Sequence, residues 1–407
     1  MKTRKTKSLL AITVLLVTAG IAGATTCSVP SAGYPTIQAA VDDATCSTIN
    51  VAPGVYPENV VIPRTVVLNG AQATQPVAGR TSGGPGESTV VGANRAGSQA
   101  VFTVNGPSVT IDGFTIENSV TTDAAIGVQV SSGSSDAVTL NNFIAGITTA
   151  GLGATATAAG IWVQDGTTSV NIGKNDIRGV TANGVASGIL IGGNAPLLNP
   201  ADIVYMHENG ISGITSAADG AAGARAARIS FTSTSFFFEH NQISNLTGST
   251  FAHGVRVECP VLDAPIINND FTGFSSGSGD VVGIRFPANT NGNSTDSSGN
   301  NFNLPDTAYG IRIDGAFDTS LGSINAGCCW WGSPDGPGPV GPGHGARVSP
   351  NINFNLWRMV PGGACAGSNT PATEADCKNG GWITHVRADG SVFKSQGDCM
   401  QFLNNGK

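Results

Sequence analysis

Two short stretches carry the residue types that acid–base chemistry uses. His207-Glu208-Asn209 and Glu239-His240-Asn241 each set an imidazole beside a carboxylate, once in each order. Stacked in register, His207 would meet Glu239 and Glu208 would meet His240. A carboxylate neighbour orients an imidazole and raises its pKa for proton transfer. Two histidines with two glutamates also suit a divalent metal. The ordinary alternative is a pair of cross-strand ion pairs at a polar turn. A second group, Arg256, Arg285 and Arg312, recurs in the frames GVRVE, GIRF and GIRID, and Trp162 takes the same place in an earlier frame. Arginine forks bind carboxylates and sulfates bidentately, so a row of them suits a polyanion such as a uronate chain. Glu258 and Asp314 follow the outer two arginines by two residues. A plain surface charge ladder, contributing roughly 0–1 kcal/mol per pair, is therefore the competing reading. His253 and His385 belong to neither group and read as packing or surface residues.

The elements that must hold these side chains repeat. Six segments share Gly-aliphatic-x-aliphatic, starting at Gly127, Gly160, Gly188, Gly254, Gly283 and Gly310, and a seventh from Arg228 fits without the glycine. The steps are 33, 28, 40, 26, 29 and 27 residues. Interleaved with it, an apolar residue, an Asn three on and a second apolar residue recur around Asn175, Asn209, Asn241 and Asn269, and once more at Ser297-Asn300-Phe302. Alternation inside each segment has period two, which is strand and not helix. No such segment can bury its apolar side alone, but coils stacked about 4.8 Å apart form one interior. The Asn positions then stack at a turn, where amides bond along the ladder. This pattern predicts an all-β fold, a right-handed parallel β-helix of three sheets. In Gly-Ile-Arg-Ile the isoleucines point inward, so the arginines point out, on a different edge from the His/Glu turn.

Such a solenoid needs covered ends. In PTIQAAVDDATC, Ile37, Ala40, Val41 and Ala44 have the spacing of an amphipathic capping helix. Trp330 and Trp331, followed by a Gly/Pro-rich loop, read as the lid on the last coil. The organisation expected is a signal peptide over 1–24, an N-terminal cap over 25–48, a β-helix over 49–361 and a small Cys-containing module over 362–407.

The signal peptide rests on the basic Lys2, Arg4, Lys5 and Lys7, the apolar run from Leu9 to Ala19 and the small Ala22-Gly23-Ala24. No later stretch is long and apolar enough for a transmembrane segment. Cleavage leaves 16 basic against 27 acidic residues, net −11, which excludes nucleic acid as a general partner. Eight cysteines in an exported chain imply disulfides. Cys27 with Cys46 and Cys377 with Cys399 are the favoured pairs, while Cys259, Cys328, Cys329 and Cys365 stay open. The Cys377–Cys399 loop is too small and polar for its own core, so Trp382 and Phe393 are expected to pack under the bridge beside a short helical turn with Met400, Phe402 and Leu403.

Three stretches resemble known proteins. TIQAAV (36–41) with INVAPGVYPENVVI (49–62) is similar to the opening of secreted bacterial β-helix proteins and pectinesterases. CCWWGSPDGPGPVGPGHGARVSPNI (328–352) resembles the closing segment of bacterial surface β-helix proteins. The tail from Cys377 resembles a small module carried by many exported bacterial proteins. The resemblance to the pectate lyase and pectinesterase superfamily implies fold and export, and it leaves activity open. The catalytic Asp pair and Arg of pectinesterases have no match here. Gly343-His344-Gly345 matches the polygalacturonase motif in letters without its companion Asp pair, and the calcium-binding carboxylate cluster of pectate lyases is missing. The reading is a secreted or cell-surface protein that binds extracellular polysaccharide through Trp162, Arg256, Arg285 and Arg312. The alternatives are a polysaccharide lyase or glycoside hydrolase using His207, Glu208, Glu239 and His240, and a structural or adhesive surface protein. No cofactor or metal is assigned.

Overall fold

The computed structural model describes residues 25–405, except 94–98, 122, 152–154, 193–200, 218–222, 231–232, 259–263, 287–294, 316–323, 340–342, 368–369, 384, 386 and 388–392. The signal segment and Cys259 thus lie outside the described residues. The chain winds as a right-handed parallel β-helix of three sheets with eleven, nine and eleven strands. Each coil visits them in one order, as in Ala124–Val130 of sheet 1, Ser135–Leu140 of sheet 2 and Phe143–Thr149 of sheet 3. The chain then returns to sheet 1 at Thr157–Val163.

The Gly-aliphatic-x-aliphatic frame is the end of each sheet 1 strand. Its first aliphatic residues, Val128, Ile161, Ile189, Ala227, Val255, Ile284 and Ile311, stand in register and are fully buried. The glycine is required by close approach. A Cβ on Gly160 would sit 2.5 Å from the Ile177 Cγ2 of sheet 3 and 2.6 Å from the Gly188 carbonyl oxygen.

The Asn frame is the corner between sheets 2 and 3. Asn142, Asn175, Asn209, Asn241, Asn269 and Asn300 are all buried. The Asn209 side-chain oxygen accepts from the Asn175 backbone N–H and amide (both 3.1 Å), and its own amide donates to Ile172 O (2.9 Å) and Asn241 Oδ1 (3.0 Å). Asn142 joins the ladder one coil earlier than the sequence frame showed. The residue before each ladder position turns the corner in the left-handed region: Asn141, Lys174, Glu208, His240, Asn268 and Gly299, with φ between 51° and 71°.

The N-terminal plug is the helix Ile37–Asp42, whose Ile37, Ala40 and Val41 are buried. The stretch that resembles pectinesterases holds it in place. Glu58 accepts from the Ile37 and Gln38 N–H groups (both 3.0 Å), and Arg64 donates to the carbonyls of Ala40, Val41, Asp43 and Cys46. Carboxylate at the N-terminus and guanidinium at the C-terminus satisfy the unpaired groups of both helix ends.

Trp330 and Trp331 are not the lid. Trp331 is fully buried and continues an interior column, Phe271–Phe302–Trp331, with centroids 5.2 and 5.1 Å apart. A further turn through Gly345–Val348 and Ile352–Asn353 covers it, ending in the buried Phe354 and Trp357. Disulfides join Cys27–Cys46, Cys328–Cys365 and Cys377–Cys399, and Cys329 is a buried free thiol. The last bridge anchors a small separate cluster in which Phe393, Trp382, Met400, Phe402 and Leu403 pack around it.

Candidate ligand-binding face

The outward row of sheet 1 runs Gln129, Trp162, Leu190, Arg228, Arg256, Arg285 and Arg312 in unbroken register. Four successive coils therefore present a guanidinium at one strand spacing. The sequence frame set Arg228 in the glycine position, whereas the register puts Ala226 there and Arg228 two residues on, in the outward place beside Leu190 and Arg256. Carboxylates are shared along the row. Glu258 bonds both Arg228 (2.8 Å) and Arg256 (2.7 Å), and Asp314 pairs with Arg285 and with Arg312 (3.2 Å). The Arg312 Nη1 also meets Asp280 (2.5 Å). These arginine side chains stay 18% to 23% exposed, so each keeps edges toward solvent.

A second row lies behind the first. Arg225 and His253 are register partners three residues earlier on their strands, and both are buried. Phe251 supplies their packing: its ring lies 4.5 Å from the Arg225 guanidinium, 4.7 Å from that of Arg256 and 4.4 Å from the His253 ring. The His253 Nε2 meets Asp280 Oδ2 at 3.3 Å, and Asp280 in turn holds Arg312. Burial pushes the His253 imidazole down to about 4, against the pull of Asp280, so it is neutral at ordinary pH. Burial, with Arg256 and Arg228 beside it, also lowers Arg225 well below the usual guanidinium range. Burial works against ionisation of Glu258, yet Arg228 and Arg256 hold it below the carboxylate range. Sequence reasoning set His253 aside and did not find Arg225 or Asp280. Only their register with the arginine row could have singled them out.

Among the described residues, five arginines of this cluster face three carboxylates. The excess is local, since the whole chain carries a net charge of −7.

No family model and no curated protein matches the sequence. In fold, the chain is similar to an alginate lyase. The crystal structure of that enzyme, from Paenibacillus sp. str. FPU-7, superposes with a TM-score of 0.52 and 13% identity, over 82% of this chain and 97% of that one. A pectin methylesterase in complex with hexasaccharide VII superposes with a TM-score of 0.39 and 12% identity, over 88% of this chain and 96% of that one. At such identities the likeness is one of fold alone.

Trp162 faces outward as its frame requires, and its indole N–H donates to Gly192 O at 2.7 Å. Leu190, between Trp162 and Arg228, is buried.

The His/Glu turn forms in register, with His207 opposite Glu239. Its side chains pair differently from the sequence expectation. The His207 ring meets Glu208 (3.3 Å) and Asn171 (2.9 Å), and no ion pair joins His207 to Glu239 or Glu208 to His240 among the described residues. Glu208 and His240 are the left-handed corner residues, which explains polar side chains there without chemistry. No group of three or more potential metal ligands exists among the described residues. The turn sits at the far edge of sheet 2, so it and the arginine face are separate places.

Proposed function

We propose that this protein engages an extracellular polysaccharide carrying regular anionic groups, uronates first, along the arginine face of sheet 1. The observation that carries the reading is the in-register row Arg228, Arg256, Arg285 and Arg312, one guanidinium per coil, with fewer carboxylates than guanidiniums among the described residues. Shared carboxylates fix the guanidinium planes and leave their outer edges as preorganised donors. A polymer with one carboxylate per sugar, laid along the helix axis, meets a charge at about each 4.8 Å strand step. An alginate lyase shares the fold, so a carboxylated polymer is the natural first ligand to offer. The ion pairs alone do not require such a row, since each surface pair contributes roughly 0–1 kcal/mol.

A glycan panel tests this. Alginate, polygalacturonate and sulfated glycosaminoglycans are expected to bind, and neutral glucans and xylans are not. Silence toward every polyanion would remove the reading and favour a structural or adhesive surface protein.

A further inference from the structure

One guanidinium of the arginine cluster lies where a polymer on the outer face cannot reach. Arg225 is 2% exposed. Its Nη1 donates to Gly223 O at 3.1 Å, and the Phe251 ring lies 4.5 Å from the guanidinium. The Nε is buried and has no hydrogen-bond partner. No carboxylate pairs with Arg225 among the described residues. Glu258 is spent on Arg228 and Arg256, Asp314 on Arg285 and Arg312, and Asp280 on Arg312. Glu258 acts on Arg225 only through space, and burial together with Arg256 and Arg228 outweighs it. A guanidinium keeps its proton inside a protein. Arg225 is therefore a buried charge without a counter-charge, an arrangement that folding disfavours strongly and that an aromatic face offsets only in part.

A second buried donor stands next to it. Ser187 is the register partner of Arg225 on the preceding sheet 1 strand, so their backbones lie about 4.8 Å apart. Ser187 is fully buried, and its hydroxyl also has no hydrogen-bond partner. One coil earlier the same register position holds Ala159, so this row sets no long side chain beside the serine. On the other flank the register partner is His253. Facing Asp280, its neutral imidazole carries the proton on Nε2, which leaves Nδ1 as a buried lone pair without a partner. A lone pair repels an anion, whereas a hydroxyl can donate to one. The Ser187 side of Arg225 is thus the side on which a negative charge is welcome.

We propose that Arg225 and Ser187 hold a small monovalent anion of chloride size beneath the arginine row. The charge of Arg225 selects an anion, and a single unpaired guanidinium calls for a single negative charge. Burial selects size, because a polymer carboxylate or a hydrated phosphate cannot follow its charge to a side chain this enclosed. A spherical ion also accepts from the Arg225 Nε and the Ser187 hydroxyl without a fixed lone-pair direction. Bound there, it supplies the counter-charge that Glu258, Asp280 and Asp314 do not. The site is distinct from the outward row and stands whether or not a polyanion binds that row.

Thermal unfolding of the full-length protein is followed as sodium chloride replaces sodium gluconate at constant ionic strength, so that screening of surface charge does not change. The wild-type midpoint is expected to rise with chloride, by an equal step for each further decade once the site fills. Arg225→Met keeps an apolar stem and removes the charge, and its midpoint should not respond to the exchange. Ser187→Ala should need about tenfold more chloride for the same rise. A wild-type midpoint indifferent to chloride overturns the inference. So does an equal rise in Arg225→Met, which marks a general salt effect. Crystals of the wild-type chain grown with sodium bromide decide the matter without any variant. One anomalous peak is expected within hydrogen-bond reach of Arg225 Nε and Ser187 Oγ, and water alone at that place, or no peak, overturns the proposal. Each outcome leaves the polyanion reading of the outward row untouched.

Discussion

His253 shows how one buried side chain ties the face to pH. Its pKa falls from the ordinary 6.5 to about 4 because burial disfavours the charged form. A depressed histidine takes up protons on unfolding between those values, so the stability it allows is present above about 6.5 and is lost as pH falls toward 4. The shift corresponds to about 3 kcal/mol at most. Urea unfolding at a series of pH values should show wild-type stability declining across that window, and His253→Gln should flatten the decline. Equal slopes in the two proteins would mean the imidazole is hydrated in solution. This residue also shows where sequence reading stops. Nothing local distinguishes His253 from a packing residue. Its partners Asp280 and Arg225 are 27 and 28 positions away, and they meet only because intervening loops bring the coils into register.

At the scale of the element, the corner between sheets 2 and 3 separates two kinds of residue that lie side by side. Asn209 is buried and makes bonds to both neighbouring coils, whereas Glu208 is exposed, takes the left-handed backbone and pairs only with the adjacent His207 among the described residues. Asn209→Ala should cost about 2–5 kcal/mol, because it removes the side-chain partner of Asn175 N–H, the Asn175 amide and Ile172 O. Glu208→Gly should be neutral or slightly stabilising, since glycine adopts that conformation without strain. Denaturant midpoints of the two variants decide it, and a severe loss in Glu208→Gly would restore a functional role to the turn. The Asn and Gly frames were readable in the sequence because burial and close approach select one residue type at every repeat. The corner residues were misleading for the opposite reason. A left-handed position tolerates Asn, Lys, Glu and His alike, so the sequence could not show that His207 pairs with Glu208 and Asn171 rather than with Glu239 across the coils.

Over the whole molecule, charge is distributed against its average. A chain of net −7 concentrates arginine on one wall of one sheet, while Glu58 and Arg64 lock the plug at one end and Phe354 with Trp357 closes the other. A rigid rod of this kind sets guanidiniums at fixed intervals, and a flexible polyanion then gives up the ordering entropy alone. The most direct measurement is calorimetric titration of polyuronate into the wild-type chain and into an Arg256→Ala/Arg285→Ala double variant at several salt concentrations. Wild-type affinity should fall as salt rises, and the double variant should bind at least tenfold more weakly with a shallower salt dependence while its circular dichroism stays that of a β-helix. Unchanged affinity and salt slope in the folded double variant would contradict the assignment of ligand binding to the arginine face.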